Sequence, residues 1–159
     1  MSHVGGVTVM ATGVFDLLHP GHLSFLKQAK ALGDRLVVVV TNDTVAHQSK
    51  GETLFTASER AEMIEAIDWV DEVIIPTETD PSRYYLTVAA IKPAIIALGY
   101  DQRFDELELA KELAQHGLDC QIVRLEQAKT STWSSTKLKK RILTIIDQRR
   151  SHESSADKS

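Results

Sequence analysis

The stretch RLVVVVT at residues 35–41 restricts the fold more than any other feature of the chain. Four consecutive valines cannot alternate between a core face and a wet face. A run of this kind is buried on both sides, as in a parallel sheet covered by helices on each face. Similar short apolar runs occur at residues 7–12 (VTVMAT), 70–75 (VDEVII, closed by Pro76), 94–98 (AIIAL, broken at Gly99) and 119–125 (DCQIVRL). Helical periodicity fills most of the intervals between them. In residues 21–32, Phe25, Leu26, Ala29 and Leu32 share a face, and Gly33 ends the helix. Ser58 reads as the cap of a helix with Ala61, Ile64 and Ile67 inward. Residues 84–91 form a short helix stopped at Lys92-Pro93. Residues 104–116 present Leu107, Ala110 and Leu113, with Gly117 past the end. Residues 134–149 close the fold with Leu138, Ile142, Ile145 and Ile146 inward. Residues 42–56 lack periodicity and read as a loop. The alternation predicts an α/β domain, three-layer α/β/α and Rossmann-like, with a doubly wound, parallel five-stranded sheet. The single domain covers residues 1–150. Residues 151–159, rich in Ser, Glu, Asp and Lys, read as a disordered tail.

Composition narrows the class of partner. The 159 residues suit one domain, and a net charge of −4 argues against a broad nucleic-acid-binding face, which needs a basic stripe. No apolar run approaches the ~20 residues of a membrane span, and no signal peptide is visible at residues 1–6. Cys120 is the sole cysteine, which rules out an intramolecular disulfide and indicates a reducing compartment, so a cytoplasmic location is expected. Cys120 itself reads as a buried structural thiol, since nothing beside it would lower its pKa.

In a doubly wound fold, ligands bind beyond the carboxyl ends of the strands, at the point where the strand order reverses. The loops beginning at Gly13, Asn42, Gly99 and Glu126 are therefore where chemistry belongs. The first of them, Gly13-Val14-Phe15-Asp16-Leu17-Leu18-His19-Pro20-Gly21-His22, meets several demands of a phosphate site. Gly13 removes a Cβ where a phosphate can approach the backbone. Pro20 suits a helix start, and Gly21 keeps the first turn open. The helix N-terminus offers unpaired N–H groups to an anion. His19 and His22, three residues apart, project in similar directions and can donate hydrogen bonds as charge accumulates on a transferring phosphate. Taken singly, either histidine reads as a cap or a surface residue. A metal site needs a third ligand, and none is near in sequence.

The segment TGVFDLLHPGH resembles the signature of the HxGH nucleotidyltransferase superfamily, which includes cytidylyltransferases, phosphopantetheine adenylyltransferases and FAD synthetases. The likeness extends through HLSFLKQAKALGDRLVVVVTND, ERAEMIEAIDWVDEVIIP and IIALGYDQRF, roughly residues 7–143. The resemblance implies that Thr12, Gly13, Val14 and Phe15 line the triphosphate loop, and that His19, Pro20, Gly21 and His22 bind the α-phosphate, the histidines as catalytic groups. It gives Lys50 a phosphate contact and a share in catalysis. Gly99 and Asp101 fall where the nucleoside is held. The hydroxyl-rich run Lys129-Thr130-Ser131-Thr132-Trp133-Ser134-Ser135-Thr136-Lys137 reads plainly as helix capping, and the resemblance places Ser134, Ser135 and Thr136 on the β- and γ-phosphates. Asp16, Arg60, Arg103 and Trp133 are candidates for the acceptor. Mg²⁺, or another divalent cation, is implied on the triphosphate rather than in a protein cage.

Two branches compete for the acceptor. LGYDQ, AQHGLDCQIVRL and WSST resemble archaeal FAD synthetases, which implies ATP and FMN as substrates. The runner-up is glycerol-3-phosphate cytidylyltransferase, using CTP. Its Arg-Thr-x-Gly-Ile-Ser-Thr-Thr segment is altered here: no arginine precedes, and Trp133 replaces the isoleucine. A non-catalytic nucleotide-binding regulatory module is the third reading. Tyr84, Tyr85, Tyr100 and Trp133 are candidate walls for a flavin ring. Homodimers are common in this branch, with residues 84–91 an interface candidate by elimination.

Overall fold

A computed structural model describes residues 5–129 and 132–156. Strands β1 (Thr8–Gly13), β2 (Arg35–Val40), β3 (Glu72–Ile74), β4 (Ile95–Leu98) and β5 (Gln121–Arg124) form one sheet in the order β3-β2-β1-β4-β5. All four pairings are parallel. The valine run fills the middle of this sheet, and every residue from Leu36 to Val40 is buried. Val38 and Val40 enter one core cluster and Val39 the other, which is why the run carries no polar alternation.

Helices α1 (Pro20–Ala31), α2 (Asp43–Lys50), α3 (Ala57–Glu65), α4 (Tyr84–Ile91), α5 (Glu106–Gln115) and α6 (Ser135–Ala156) connect or follow the strands. On one face, Leu26 and Ala29 of α1 and Ala61 and Ile64 of α3 pack on Val9, Ala11, Val38 and Val40. On the other, Val88 of α4 and Leu109 and Leu113 of α5 pack on Met10, Val39, Ile96 and Leu98. The fold is thus the three-layer, Rossmann-like single sheet expected. From β1 the chain winds outward to β3, then returns to the far side of β1 for β4 and β5. The reversal places the switch point between the carboxyl ends of β1 and β4.

Several local expectations change. Residues 42–56 are not all loop: α2 forms there, capped by Asn42, whose side chain accepts from the Val45 N–H at 2.9 Å. Only Ala46 of this helix is buried, so it leaves almost no apolar pattern. Thr56, not Ser58, caps α3, in a reciprocal box with Glu59. α5 buries Leu109 and Leu113, whereas Leu107 is 73% exposed. The largest change is α6. It has no buried residue: Ile142, Ile145 and Ile146 are exposed rather than inward, and Leu138 is only half-buried. It also continues to Ala156, through most of the expected tail, while residues 157–159 lie outside the described part. Of α4, the expected interface candidate, Val88 is buried and Tyr84, Tyr85 and Ile91 pack on the second core cluster, while Leu86 stays exposed. Cys120 is half-buried beside the same cluster, and burial, with the nearby Asp119 charge, raises its thiol pKa.

Candidate active site

The loop after β1 and the first turn of α1 hold the two histidines at the switch point. His19 caps α1: its Nδ1 accepts the Gly21 N–H at 3.1 Å, and Pro20 opens the first turn. With Nδ1 an acceptor, the proton of neutral His19 sits on Nε2, which leaves that N–H as a donor. His22 stacks on His19 with ring centroids 3.7 Å apart, and Phe15 meets His22 edge-on at 5.3 Å. Burial holds both imidazoles in the neutral form. His19 is lowered by desolvation, with the Asp101 carboxylate acting in the opposite sense. His22 is lowered to about 4 by desolvation and then by the His19 charge, against a weak opposing effect of the Leu17 backbone. Its Nδ1 is buried and makes no well-formed hydrogen bond. Two neutral rings with depressed pKa values, stacked at a helix start, are poised to gain favourable charge interactions when an anion arrives.

Phe15 has φ 55°, a left-handed conformation that a bulky residue rarely adopts, and its ring is buried. Gly13 accommodates that ring rather than a ligand directly: a Cβ there would lie 2.7 Å from Phe15 Cζ. The expected reason for this glycine is therefore revised from ligand approach to the packing of its own loop.

The neighbouring loops are tied to β1 by side chains that sequence reasoning did not single out. Gln102 donates from Nε2 to the Thr12 carbonyl at 2.7 Å and accepts the Gly99 N–H at 2.8 Å. Arg124 donates from Nη1 to the Gly99 and Gln102 carbonyls, both at 2.9 Å, and pairs with Glu106. These bonds fix the segment that carries Asp101 beside His19. Tyr84 shares a hydrogen bond with the Thr12 hydroxyl at 3.1 Å, and burial pushes its phenol up to about 12.

Two of the expected acceptor residues are engaged in holding the site together. Arg60 is fully buried. Its guanidinium donates to the carbonyls of Phe55 (3.1 Å), Val14 (2.6 Å) and Thr41 (2.9 Å), and pairs with Asp43 at 2.8 Å. A planar fork suits this multidirectional task, and the arrangement corrects the acceptor assignment. Asp16 is 4% exposed. Its Oδ1 accepts the Leu54 and Phe55 N–H groups at 2.8 and 3.1 Å, and Oδ2 lies 3.1 Å from Lys139 Nζ. It too organises the loop instead of reaching into open space.

The remaining expected residues are distributed around this centre. Lys50 is exposed at the end of α2, and among the described residues no hydrogen bond or ion pair joins it to the histidines. Arg103 is exposed in the loop after β4. Ser134 caps α6, its Oγ accepting the Lys137 N–H at 3.2 Å, with Ser135 and Thr136 in the first turn. Thr130 and Ser131 lie outside the described residues. Trp133 and Tyr100 are 41% and 46% exposed, whereas Tyr84 is half-buried against the second core cluster and Tyr85 stacks on His116 at 3.6 Å. An open depression of about 640 Å³ beside α2, lined by Asp43, His47 and Glu52 among others, contains neither motif histidine. The site is defined by convergent side chains and helix-start amides, not by depth of surface.

Known proteins resemble the chain over most of its length. Residues 10–141 match the cytidylyltransferase-like family. The chain is 41% identical over 143 residues to a Thermoplasma volcanium protein named FAD synthase, covering 90% of this chain and 99% of the relative. A Methanosarcina mazei FAD synthase is 46% identical over 129 residues, 80% of this chain and 82% of the relative. A solved structure from Thermoplasma volcanium, described as a lipopolysaccharide core biosynthesis protein, superposes with TM-score 0.74 at 43% identity, covering 79% of this chain and all of that one. The stacked histidines at the switch point, and a match running from β1 into α6, lead to one assignment: the chain belongs to the cytidylyltransferase-like family.

Proposed function

We propose that the chain is an FMN adenylyltransferase, transferring AMP from ATP to FMN with release of pyrophosphate. The observation that carries nucleotidyl transfer is the pair of neutral, stacked imidazoles at the start of α1. The FAD synthase names of relatives at 41–46% identity favour FMN over glycerol 3-phosphate. The FMN phosphate oxygen attacks the α-phosphorus of ATP in line. The P–O bond to the β-phosphate breaks, and the electron pair leaves on pyrophosphate. His19 Nε2–H donates to a non-bridging α-oxygen, and His22 stabilises the same developing charge. The amides of the loop and helix starts cradle the phosphates. Ser134, Ser135 and Thr136 approach the β- and γ-phosphates, and Lys50 adds cationic charge to the triphosphate. In this reading Asp101 takes the nucleoside, while Trp133 and Tyr100 offer half-exposed rings to the flavin. Among the described residues no three His, Cys, Asp or Glu side chains gather into a metal cage. A divalent cation bound with the triphosphate would supply positive charge against the leaving pyrophosphate.

The test measures pyrophosphate release with Mg²⁺, ATP or CTP, and FMN or glycerol 3-phosphate. Release with ATP and FMN is expected; release only with CTP and glycerol 3-phosphate overturns the reading. Nucleotide binding without turnover with either acceptor would mark a regulatory module instead. His19→Ala and His22→Ala should each lower kcat about 10²–10³-fold while the fold persists. Full turnover in both variants refutes their role.

A further inference from the structure

We propose that Lys139 is a positioning residue: paired with Asp16, it holds the start of α6 against the loop that carries the two histidines. Asp16 is the anchor of this contact. Its carboxylate is nearly sealed from water, and two backbone N–H groups satisfy Oδ1. Oδ2 makes no well-directed hydrogen bond; what faces it is the Lys139 ammonium, 3.1 Å away. A buried carboxylate requires a counter-charge, and this one comes from a helix on the far side of the sequence.

That dependence is mutual, because α6 has little else to seat it. None of its 22 residues is buried. Ser134, Thr144, Ser151 and Ser155 form hydrogen bonds within or at the end of the helix, and Lys137 reaches only the nearby Thr132 carbonyl. Among the described residues, the Lys139–Asp16 pair is the only ion pair or hydrogen bond from α6 to a distant part of the domain. Its place on the helix matters. Ser135 and Thr136 precede Lys139 by four and three residues, so all three lie on one face. Seating Lys139 on Asp16 turns both hydroxyls toward the side of the loop. Asp16 is itself three residues before His19, and its other oxygen holds the Leu54–Phe55 segment that follows Lys50 and Gly51. One carboxylate therefore joins the histidine loop, the stretch after α2 and the start of α6.

The placement of α6 stands apart from the FMN reading; only its consequence for ATP affinity rests on the nucleotide site proposed above. The full-length protein is compared with Lys139→Met and Lys139→Arg by amide hydrogen exchange and by MgATP titration. In Lys139→Met, exchange across residues 134–140 should rise about tenfold while the sheet amides stay unchanged, and ATP affinity should fall about tenfold with kcat at saturating ATP nearly retained, as expected for loss of one part-buried pair. Lys139→Arg should restore both. Unchanged exchange in Lys139→Met overturns the proposal, as does failure of arginine to restore it. A loss of kcat with KM unchanged also overturns it, since that assigns Lys139 to the chemical step. If the unmodified protein does not bind ATP, the nucleotide reading fails, and exchange alone decides the role of Lys139.

Discussion

Lowering the pH should destabilise the folded chain through His22 in a window set by its burial. The folded-state pKa is depressed to about 4 from an ordinary value of 6.5, first by desolvation and then by the neighbouring His19. Above the ordinary value, both folded and unfolded states hold this imidazole neutral. As pH falls through that value, the unfolded chain takes up a proton that the folded chain refuses, so stability declines. The decline ends near pH 4, where folded His22 also protonates. At about 1.4 kcal/mol per pH unit, the window amounts to roughly 3 kcal/mol, a sizeable share of a total stability on the order of 5–15 kcal/mol. Urea denaturation at a series of pH values, comparing the protein with His22→Asn, isolates this contribution from those of the other histidines. The variant should lose less stability across the window, and NMR titration of the ring should show a low midpoint. An identical pH profile in the two proteins, or a ring that titrates near its ordinary value, refutes the burial argument. MgATP should raise the His22 midpoint, because a phosphate beside the ring favours its charged form.

Other expectations follow from the same contacts. Arg60→Met keeps bulk but strands the Phe55, Val14 and Thr41 carbonyls, so chemical denaturation should show a loss of about 3 kcal/mol or more. Gln102→Leu frees the segment bearing Asp101 from the Thr12 carbonyl, and calorimetric titration should show ATP binding weakened about tenfold with little change in melting temperature. Gly33→Ala forces a Cβ to within 2.5 Å of the Val7 carbonyl oxygen and 2.7 Å of Val9 Cγ2. A stability loss of about 1–3 kcal/mol is expected by urea denaturation, and a neutral result would mean that the α1–β2 turn relaxes freely.

How far the chain was readable depends on the range of the interaction involved. The valine run announced a doubly covered sheet because burial on both faces leaves a purely local signature. The histidines were readable for a similar reason: strand, glycine and helix start are contiguous, and the stack forms within a single turn. α2 leaves no legible period in the sequence because DTVAHQSK buries only Ala46. In α6 the period was present, but periodicity reports which face is apolar and not what that face meets. The same limit hid Arg60, which resembles a solvated helix residue until Val14 and Thr41 arrive from elsewhere in the chain. Gln102, Arg124 and Lys139 act across 18 to 123 residues of sequence, and nothing in their immediate neighbours marks them.

The sheet also has a direction, and that direction separates the molecule into two poles. Every strand delivers its carboxyl end to the pole where the histidines, Asp101 and the start of α6 meet. The turns that enter the strands gather at the opposite pole, away from substrate. Among them is the exposed turn at Gly117, where the surroundings are open but φ is 71°, so an addition must leave the glycine itself in place. A fluorophore, an affinity tag or an inserted partner domain placed there would leave the chemical pole untouched. The parallel arrangement that builds the site thus also supplies a permissive surface for instrumenting it.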